Sequence, residues 1–219
     1  TLSCKKDTGD RGAITKTISN YGNLTIKDSV GGGKVDNVDR AGCPVYNADS
    51  GVLTLESGTI TRSQETGTAV AGGGNTQYTV WNEGTMTIRG GKVENSGAHS
   101  SAICNGFYNI HYGAHAGTLT IEGGEISGGG KTIKNSNDKG IDSKLIINGG
   151  TLTNKNGAVV DNRASATLNG STFNGPITNI AGRNFNIGAG IFTDTALAKS
   201  IIKAGGAAVT KYGDQYGIN

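Results

Sequence analysis

Proline, methionine and aromatic residues are scarce in this chain. Its 219 residues include 2 prolines, 1 methionine and 1 tryptophan, and aromatic residues make up 5%. No apolar run approaches the roughly 20 residues that a membrane-spanning helix needs. The formal net charge is only +3, and basic residues alternate with acidic ones without forming a stripe. The sequence therefore predicts neither a transmembrane helix nor a nucleic-acid partner.

Cysteine is also scarce, and its three copies form no metal-binding pattern. Cys4, Cys43 and Cys104 lack the Cys-x-x-Cys or Cys/His spacing that holds zinc or an iron–sulfur cluster. The sequence predicts no metal site and no cofactor. The pattern leaves open both a Cys4–Cys43 disulfide and lipid anchoring at Cys4.

Glycine, in contrast, is abundant. The 38 glycines are about 17% of the 219 residues, against the usual ~7%. They follow no three-residue period, which excludes collagen. Apolar β-branched residues recur between them in short runs, which argues against disorder. We expect glycine to form the corners between many short strands, where a positive φ angle favours it.

One strand-and-corner unit recurs along the chain. Its best copies, GTMTIRGGKV (84–93) and GTLTIEGGEI (117–126), lie 33 residues apart without a gap. Side chains alternate across a strand, so stacked copies predict rows of inward apolar residues. The first row contains Leu24, Leu53, Met86, Leu119 and Leu145, and a weaker and a distorted copy of the unit have Ala166 and Phe185 at the same position. The next contains Ile26, Leu55, Ile88, Ile121 and Ile147, and a row after the corner contains Ile60, Val93, Ile126 and Leu152.

A second unit, an apolar residue followed by any residue and then Asn, precedes most copies. It predicts an amide ladder at another corner, formed by Asn20, Asn47, Asn82, Asn162 and Asn179. Two coils depart from this unit, with GAH (113–115) and IDS (141–143) at the expected places. The similar ICN (103–105) aligns by the 33-residue offset with VAG (70–72), and this assigns it to an earlier strand of its coil.

These units predict an all-β fold, a right-handed parallel β-helix of about seven coils. A single domain would span 1–219, with a lead-in at 1–12, coils at 13–192 and a cap at 193–219. The cap would contain a short helix at 193–206 and a strand at 207–213. Ankyrin and leucine-rich repeats are excluded because their signature residues are missing.

With these motifs the chain resembles the pectin-lyase-like right-handed parallel β-helix proteins. More narrowly, it is similar to the glycine-rich repeat regions of bacterial surface and secreted proteins. The closing GAGIFTDTALAKSIIKAGGAAVTKYGDQYGIN (188–219) is similar to the ending of that group. The resemblance implies an extracellular or cell-surface location in a bacterium, and it says little about activity.

An enzyme of this fold, a polysaccharide lyase or hydrolase, is the alternative function. The sequence lacks the Asn-Thr-Asp, Asp-Asp, Gly-His-Gly and Arg-Ile-Lys motifs of polygalacturonase-like enzymes. The acidic residues Glu56, Glu122 and Glu125 stand singly on outward positions. The three histidines, of which His111 and His115 are four apart, suggest no triad or metal site. No catalytic residue is predicted.

A binding or structural role is therefore expected, as an adhesive or glycan-binding module or as a stalk. Two segments of equal length, 69–85 and 102–118, concentrate the scarce aromatics and are expected to lie side by side. Exposed aromatic faces pack against sugar rings, so the predicted partner is a carbohydrate, including a host or cell-surface glycan. The predicted ligand-binding residues are Tyr46, Tyr78, Trp81, Phe107, Tyr108, His111 and Tyr112. The open alternative is that these aromatics pack together and hold long loops against the coils.

Overall fold

The computed structural model describes most of the chain, and short strands account for most of what it describes. The described residues are 1–4, 15–37, 42–63, 78–97, 101–109, 113–154, 156–180, 183–193, 209–212 and 215–218.

Three long sheets contain nearly all of the strands, which are numbered in chain order. Sheet A contains β1 (Leu2–Cys4), β4 (Lys34–Asn37), β7 (Thr59–Arg62), β10 (Lys92–Asn95), β15 (Glu125–Gly128), β18 (Thr151–Asn154), β21 (Thr172–Asn174), β24 (Gly190–Phe192), β25 (Val209–Tyr212) and β26 (Gln215–Ile218). Sheet B contains β2 (Lys16–Asn20), β5 (Cys43–Asn47), β8 (Val80–Asn82), β11 (Ser101–Asn105), β16 (Lys131–Asn135), β19 (Val160–Asn162) and β22 (Ile177–Asn179). Sheet C contains β3 (Asn23–Ile26), β6 (Val52–Leu55), β9 (Thr85–Ile88), β14 (Thr118–Ile121), β17 (Lys144–Ile147), β20 (Ser165–Leu168) and β23 (Phe185–Ile187).

The chain visits sheets B, C and A in turn, seven times from β2 to β24. Neighbouring strands from successive coils pair in parallel throughout these coils, as in the pair of β9 with β14. A single coil cannot bury its apolar residues alone. In the stack, the apolar residues of each inner coil pack against those of the coil on either side. The predicted parallel β-helix of about seven coils is confirmed.

The predicted interior rows are also confirmed. Leu119 lies opposite Met86 in one pair and opposite Leu145 in the next, and Ile121 lies between Ile88 and Ile147. The rows from all three sheets meet in one buried cluster that runs the length of the stack. The outward threonines Thr25, Thr54, Thr87 and Thr120 stack in register on the opposite face of sheet C.

The asparagine ladder is longer than predicted. Asn105 pairs with Asn82 and Asn135 pairs with Asn105, so ICN is the true counterpart of VWN in its coil. The assignment of ICN to an earlier strand is therefore wrong. ICN and IKN (133–135) occupy the ladder positions that were expected for GAH and IDS. Six side-chain amide bonds of 2.7–2.8 Å join seven residues: Asn20, Asn47, Asn82, Asn105, Asn135, Asn162 and Asn179.

The double-glycine corner between sheets C and A is tightly packed. Gly124 has a φ of +88°, and a Cβ added to it would lie 2.8 Å from the carbonyl oxygen of Gly91. A Cβ added to Gly91 would likewise lie 2.6 Å from the carbonyl oxygen of Gly58. Glycine is required here both by the backbone conformation and by the distance between coils.

At the C-terminal end, sheet A changes direction. Strand β26 pairs with β24 in antiparallel orientation, and β25 pairs with β26. The predicted strand at 207–213 is confirmed as β25. The predicted helix at 193–206 lies outside the described residues except for Thr193. Over the described ranges the only helical element is one 3-10 turn, Asp138–Gly140.

The cysteines are not paired. All three thiols are free, and Cys4 in β1 lies in a different sheet from Cys43 in β5. Burial raises the pKa of Cys43 to about 12 and that of Cys104 to about 11, so neither is a reactive thiolate. The open disulfide alternative is thus not found.

Candidate functional site

Four of the predicted ligand-binding residues lie on or above the outer face of sheet B. Tyr46 in β5 and Trp81 in β8 occupy equivalent outward positions of neighbouring strands. Tyr78, Trp81 and Phe107 are buried, with Trp81 only 3% exposed, while Tyr46 is half-buried.

The other three predicted residues belong to the segment that follows Phe107. A short hairpin, β12 (Phe107–Asn109) and β13 (Gly113–His115), follows β11, the middle strand of sheet B. Tyr108 lies in β12, but its side chain is outside the description, and His111 and Tyr112 lie outside the described residues.

The buried aromatic rings form a second apolar cluster on the outside of sheet B. Edge-to-face contacts join Tyr46 to Trp81 (centroids 5.2 Å apart), Trp81 to Phe107 (4.7 Å) and Phe107 to Tyr78 (6.3 Å). Two buried cysteines complete the cluster. Phe107 thus packs the hairpin against sheet B, as the packing alternative expects. The ligand-binding role of these residues stays a prediction.

The two aromatic segments do meet, but at different corners from those expected. The first insertion, 63–79, connects sheet A to sheet B before β8, and the second, 106–117, connects sheet B to sheet C after β11. They join sheet B at opposite ends of its strands, and Tyr78 from the first contacts Phe107 from the second. The equal spacing of 33 residues therefore arises from unequal insertions at unlike corners.

Next to this cluster lies a group of side chains that extends from buried Glu83 to exposed Tyr21. We call this group the tyrosine ledge: Tyr21, Tyr46, Asp49, Glu83 and His115. Tyr21 is 65% exposed, and its ring meets that of Tyr46 edge to face, with centroids 6.2 Å apart. The Tyr46 hydroxyl donates a hydrogen bond to Glu83 Oε2 at 2.7 Å. His115 Nδ1 lies 3.6 Å from Asp49 Oδ2.

Two charged side chains, Lys16 and Glu83, hold Tyr46 in the buried part of the ledge. Lys16 Nζ lies 3.9 Å from the centroid of the Tyr46 ring, which is a close cation–π contact. Burial raises the pKa of Glu83, although the Tyr46 hydrogen bond and nearby His115 oppose this effect. Burial and the bond to Glu83 raise the pKa of Tyr46. The Tyr46 hydroxyl thus stays a neutral hydrogen-bond donor. Contacts with Glu83, Lys16 and Trp81 fix the side chain in place.

An opening with a polar lining lies on the outer face of sheet A, and we call it the sheet A groove. It encloses about 350 Å³ and is lined by Lys34, Asp36, Thr61, Ser63, Glu94, Asn95, Ser96 and Ser127. Asp36, Thr61 and Glu94 stand in register on three successive strands. Neighbouring strands are about 4.8 Å apart, so the groove runs along the stack.

Two carboxylates in the groove are already oriented by neighbours. Asp36 accepts hydrogen bonds from the backbone N–H of Ser63 at 3.0 Å and from its hydroxyl at 2.6 Å. Glu94 Oε2 lies 2.5 Å from Lys92 Nζ. Carboxylates that are held this way can accept further hydrogen bonds, because each oxygen has two lone pairs.

The last three strands of sheet B, β16, β19 and β22, carry a network of charged side chains instead of aromatic rings. Asp161 forms ion pairs with Lys131 and Arg163 and accepts a hydrogen bond from Thr178. Burial works against ionisation of Asp161, but these partners outweigh it and lower its pKa. All contacts of this carboxylate are internal, which indicates a structural role.

Sequence reasoning missed both the groove and the exposed member of the ledge. The groove lies at outward positions next to the predicted row of Ile60, Val93 and Ile126, where KVDN (34–37) and KVEN (92–95) carry charges. Tyr21 and Glu83 each directly follow a ladder asparagine. The repeats therefore contained a signal, but the coil register was needed to place these residues together.

Within the described ranges, no group of three or more His, Cys, Asp or Glu side chains is placed to hold a metal ion. No helix in the same part of the chain is long and apolar enough to cross a membrane. No protein-family model, no curated protein and no solved structure matches this chain.

Proposed function

We propose that this chain is a non-catalytic β-helix module of a bacterial secreted or cell-surface protein, of the pectin-lyase-like type, and that it binds carbohydrate. The sheet A groove is the observation that carries the proposal. Its volume of about 350 Å³ falls within the usual ~300–1,000 Å³ of ligand sites. All of its lining residues are polar or charged, which suits a ligand covered with hydroxyl groups.

The chemistry of the lining supports a sugar. Hydroxyls of Thr61, Ser63 and Ser127 can both donate and accept, the carboxylates of Asp36 and Glu94 accept, and Lys34 donates. A sugar hydroxyl likewise donates and accepts, so each can be paired twice. The groove follows the stack across several coils, which suits a linear oligosaccharide.

Removal of Glu94 tests this proposal. In a titration with the oligosaccharide that an array of immobilised glycans identifies, we expect Glu94→Ala to bind about 10-fold or more weakly. The reason is that a hydrogen bond to a charged group contributes about 1.5–3 kcal/mol.

The matched control is Glu122→Ala. Glu122 is also an outward glutamate with a basic partner, since its Oε2 lies 3.3 Å from Arg89 Nε, but it lies outside the groove. Equal affinities of Glu94→Ala and wild type for the oligosaccharide would show that the groove is not the binding site. Failure of the wild-type chain to bind any glycan would favour the stalk.

The alternative of a glycoside hydrolase can be tested at the same groove, because Asp36 and Glu94 both face it. Their strands are about 9.6 Å apart along the stack, just above the roughly 6.5–9.5 Å between the two carboxyl groups of inverting glycosidases. Release of reducing ends from the bound oligosaccharide, lost in Glu94→Gln, would establish this alternative.

A further inference from the structure

We propose that the tyrosine ledge is a second carbohydrate site, in which Tyr21 stacks against the apolar face of a pyranose ring. The inference extends the proposed carbohydrate binding to a different surface. Tyr21 is the only strongly exposed aromatic ring among the side chains that the structure describes. An exposed ring of this kind keeps its face free for a ligand.

The backbone of Tyr21 is anchored, and its ring is supported by one neighbouring ring, before any ligand arrives. Its ring stands at 77° to the ring of Tyr46, and its carbonyl oxygen accepts a hydrogen bond from the Ser50 hydroxyl at 3.0 Å. Tyr46 is itself held by Glu83 and Lys16. A ring held in place loses little conformational entropy on binding, which favours affinity.

Polar groups stand beside this ring. Asp49 is exposed and its carboxylate pairs with His115 at the base of the hairpin. Asp49 directly precedes Ser50, whose hydroxyl bonds the Tyr21 carbonyl oxygen, and this places Asp49 next to Tyr21. A carboxylate and an imidazole next to an exposed aromatic face provide hydrogen bonds for hydroxyls around a stacked sugar. The ligand class is therefore a neutral pyranoside.

The single tryptophan of the chain provides a direct readout. Trp81 is buried and contacts Tyr46, with centroids 5.2 Å apart, and Tyr46 contacts Tyr21, so a ligand on Tyr21 affects the tryptophan through Tyr46. The groove lies on a different sheet. We would titrate neutral oligosaccharides of glucose, galactose and N-acetylglucosamine and record both tryptophan fluorescence and total heat of binding.

The variants are Tyr21→Ala, Tyr21→Phe and the control Ile180→Ala. Ile180 also follows a ladder asparagine and is exposed, 47%, but lies at the other end of the stack. We expect the fluorescence change to be lost or shifted to at least 10-fold higher sugar concentration in Tyr21→Ala. It should be kept in Tyr21→Phe, which retains the ring, and in Ile180→Ala.

The outcomes separate this inference from the groove. A response that is lost in Tyr21→Ala but kept in Glu94→Ala supports the ledge. If binding releases heat without any fluorescence change, and the heat is lost only in Glu94→Ala, the sugar binds in the groove alone. This result overturns the ledge as a site. A fluorescence response that Tyr21→Ala leaves unchanged overturns the ledge, and no binding of any sugar by wild type overturns both sites.

Discussion

At the scale of single residues, the buried amide of Asn105 shows how a side chain sets the stack. Its Nδ2 donates to the carbonyl oxygens of Gly117 and Lys144 and to Asn135 Oδ1, while its Oδ1 accepts from Asn82. The residue is fully buried, so water cannot replace these partners. The Asn105 amide therefore joins three coils rather than two.

Truncation of this amide should be costly. We expect Asn105→Ala to lower the free energy of unfolding by about 3 kcal/mol, because each buried polar group left without a partner costs about 1–3 kcal/mol. Urea unfolding followed by far-UV circular dichroism measures the change.

The control for this variant is Asn169→Ala. The Asn169 amide also donates to an asparagine of the neighbouring coil, Asn148, at 2.9 Å, but on the exposed surface. Its loss should stay within about 0.5 kcal/mol. Similar losses for the two variants would show that burial of the ladder contributes nothing.

At the scale of the element, the corner after each sheet C strand limits what the sequence can change. Gly124 has both a positive φ and a neighbouring carbonyl within 2.8 Å of an added Cβ. We expect Gly124→Ala to cost about 2 kcal/mol, which lowers the Tm by about 4–8 °C in a chain of this size. Differential scanning calorimetry measures this shift.

Gly22→Ala is the comparison for this corner. No atom lies within 4 Å of a Cβ added at Gly22, and its φ is not in the left-handed range. The Tm of this variant should match that of wild type. A larger loss at Gly22 than at Gly124 would contradict the account of the corner.

The strands of sheets A and C can be predicted from sequence because their units repeat with alternating apolar residues and a glycine corner. Sheet B is harder, since its strands carry only a short apolar-x-Asn unit. The 33-residue offset then gives a false register, because an insertion before β8 has the same effect on spacing as one after β11. Only strand pairing distinguishes the two.

The candidate sites follow the same division. Outward positions are predictable once the rows are known, and the neighbouring outward placement of Tyr46 and Trp81 is confirmed. Their burial is not predictable, because the hairpin that brings Phe107 over Trp81 pairs only with itself. The groove depends on residues of three coils that no single repeat contains.

At the scale of the whole molecule, stability should be shared between neighbouring coils. Residues 136–162 span one full turn, from after ladder Asn135 to ladder Asn162, 162 − 135 = 27 residues. Their removal would bring β14 next to β20, β15 next to β21 and β16 next to β22. All inward rows and the ladder would stay in register.

We therefore expect the chain without 136–162 to fold cooperatively with a β-type circular dichroism spectrum and a lower Tm. Removal of 136–149 alone takes away β17 but keeps β18, which breaks the stack, and this chain should not unfold cooperatively. Loss of folding in the first deletion and retention in the second would contradict the coil assignment.

The most direct test of the central claim is a crystal structure of the full chain with the tightest-binding oligosaccharide from the glycan array. The account predicts an intact sugar in the sheet A groove, with hydroxyls within about 2.7–3.2 Å of the Asp36 and Glu94 carboxylates. An empty groove at saturating sugar, or a cleaved product within it, would contradict the claim that the sheet A groove is a non-catalytic carbohydrate-binding site.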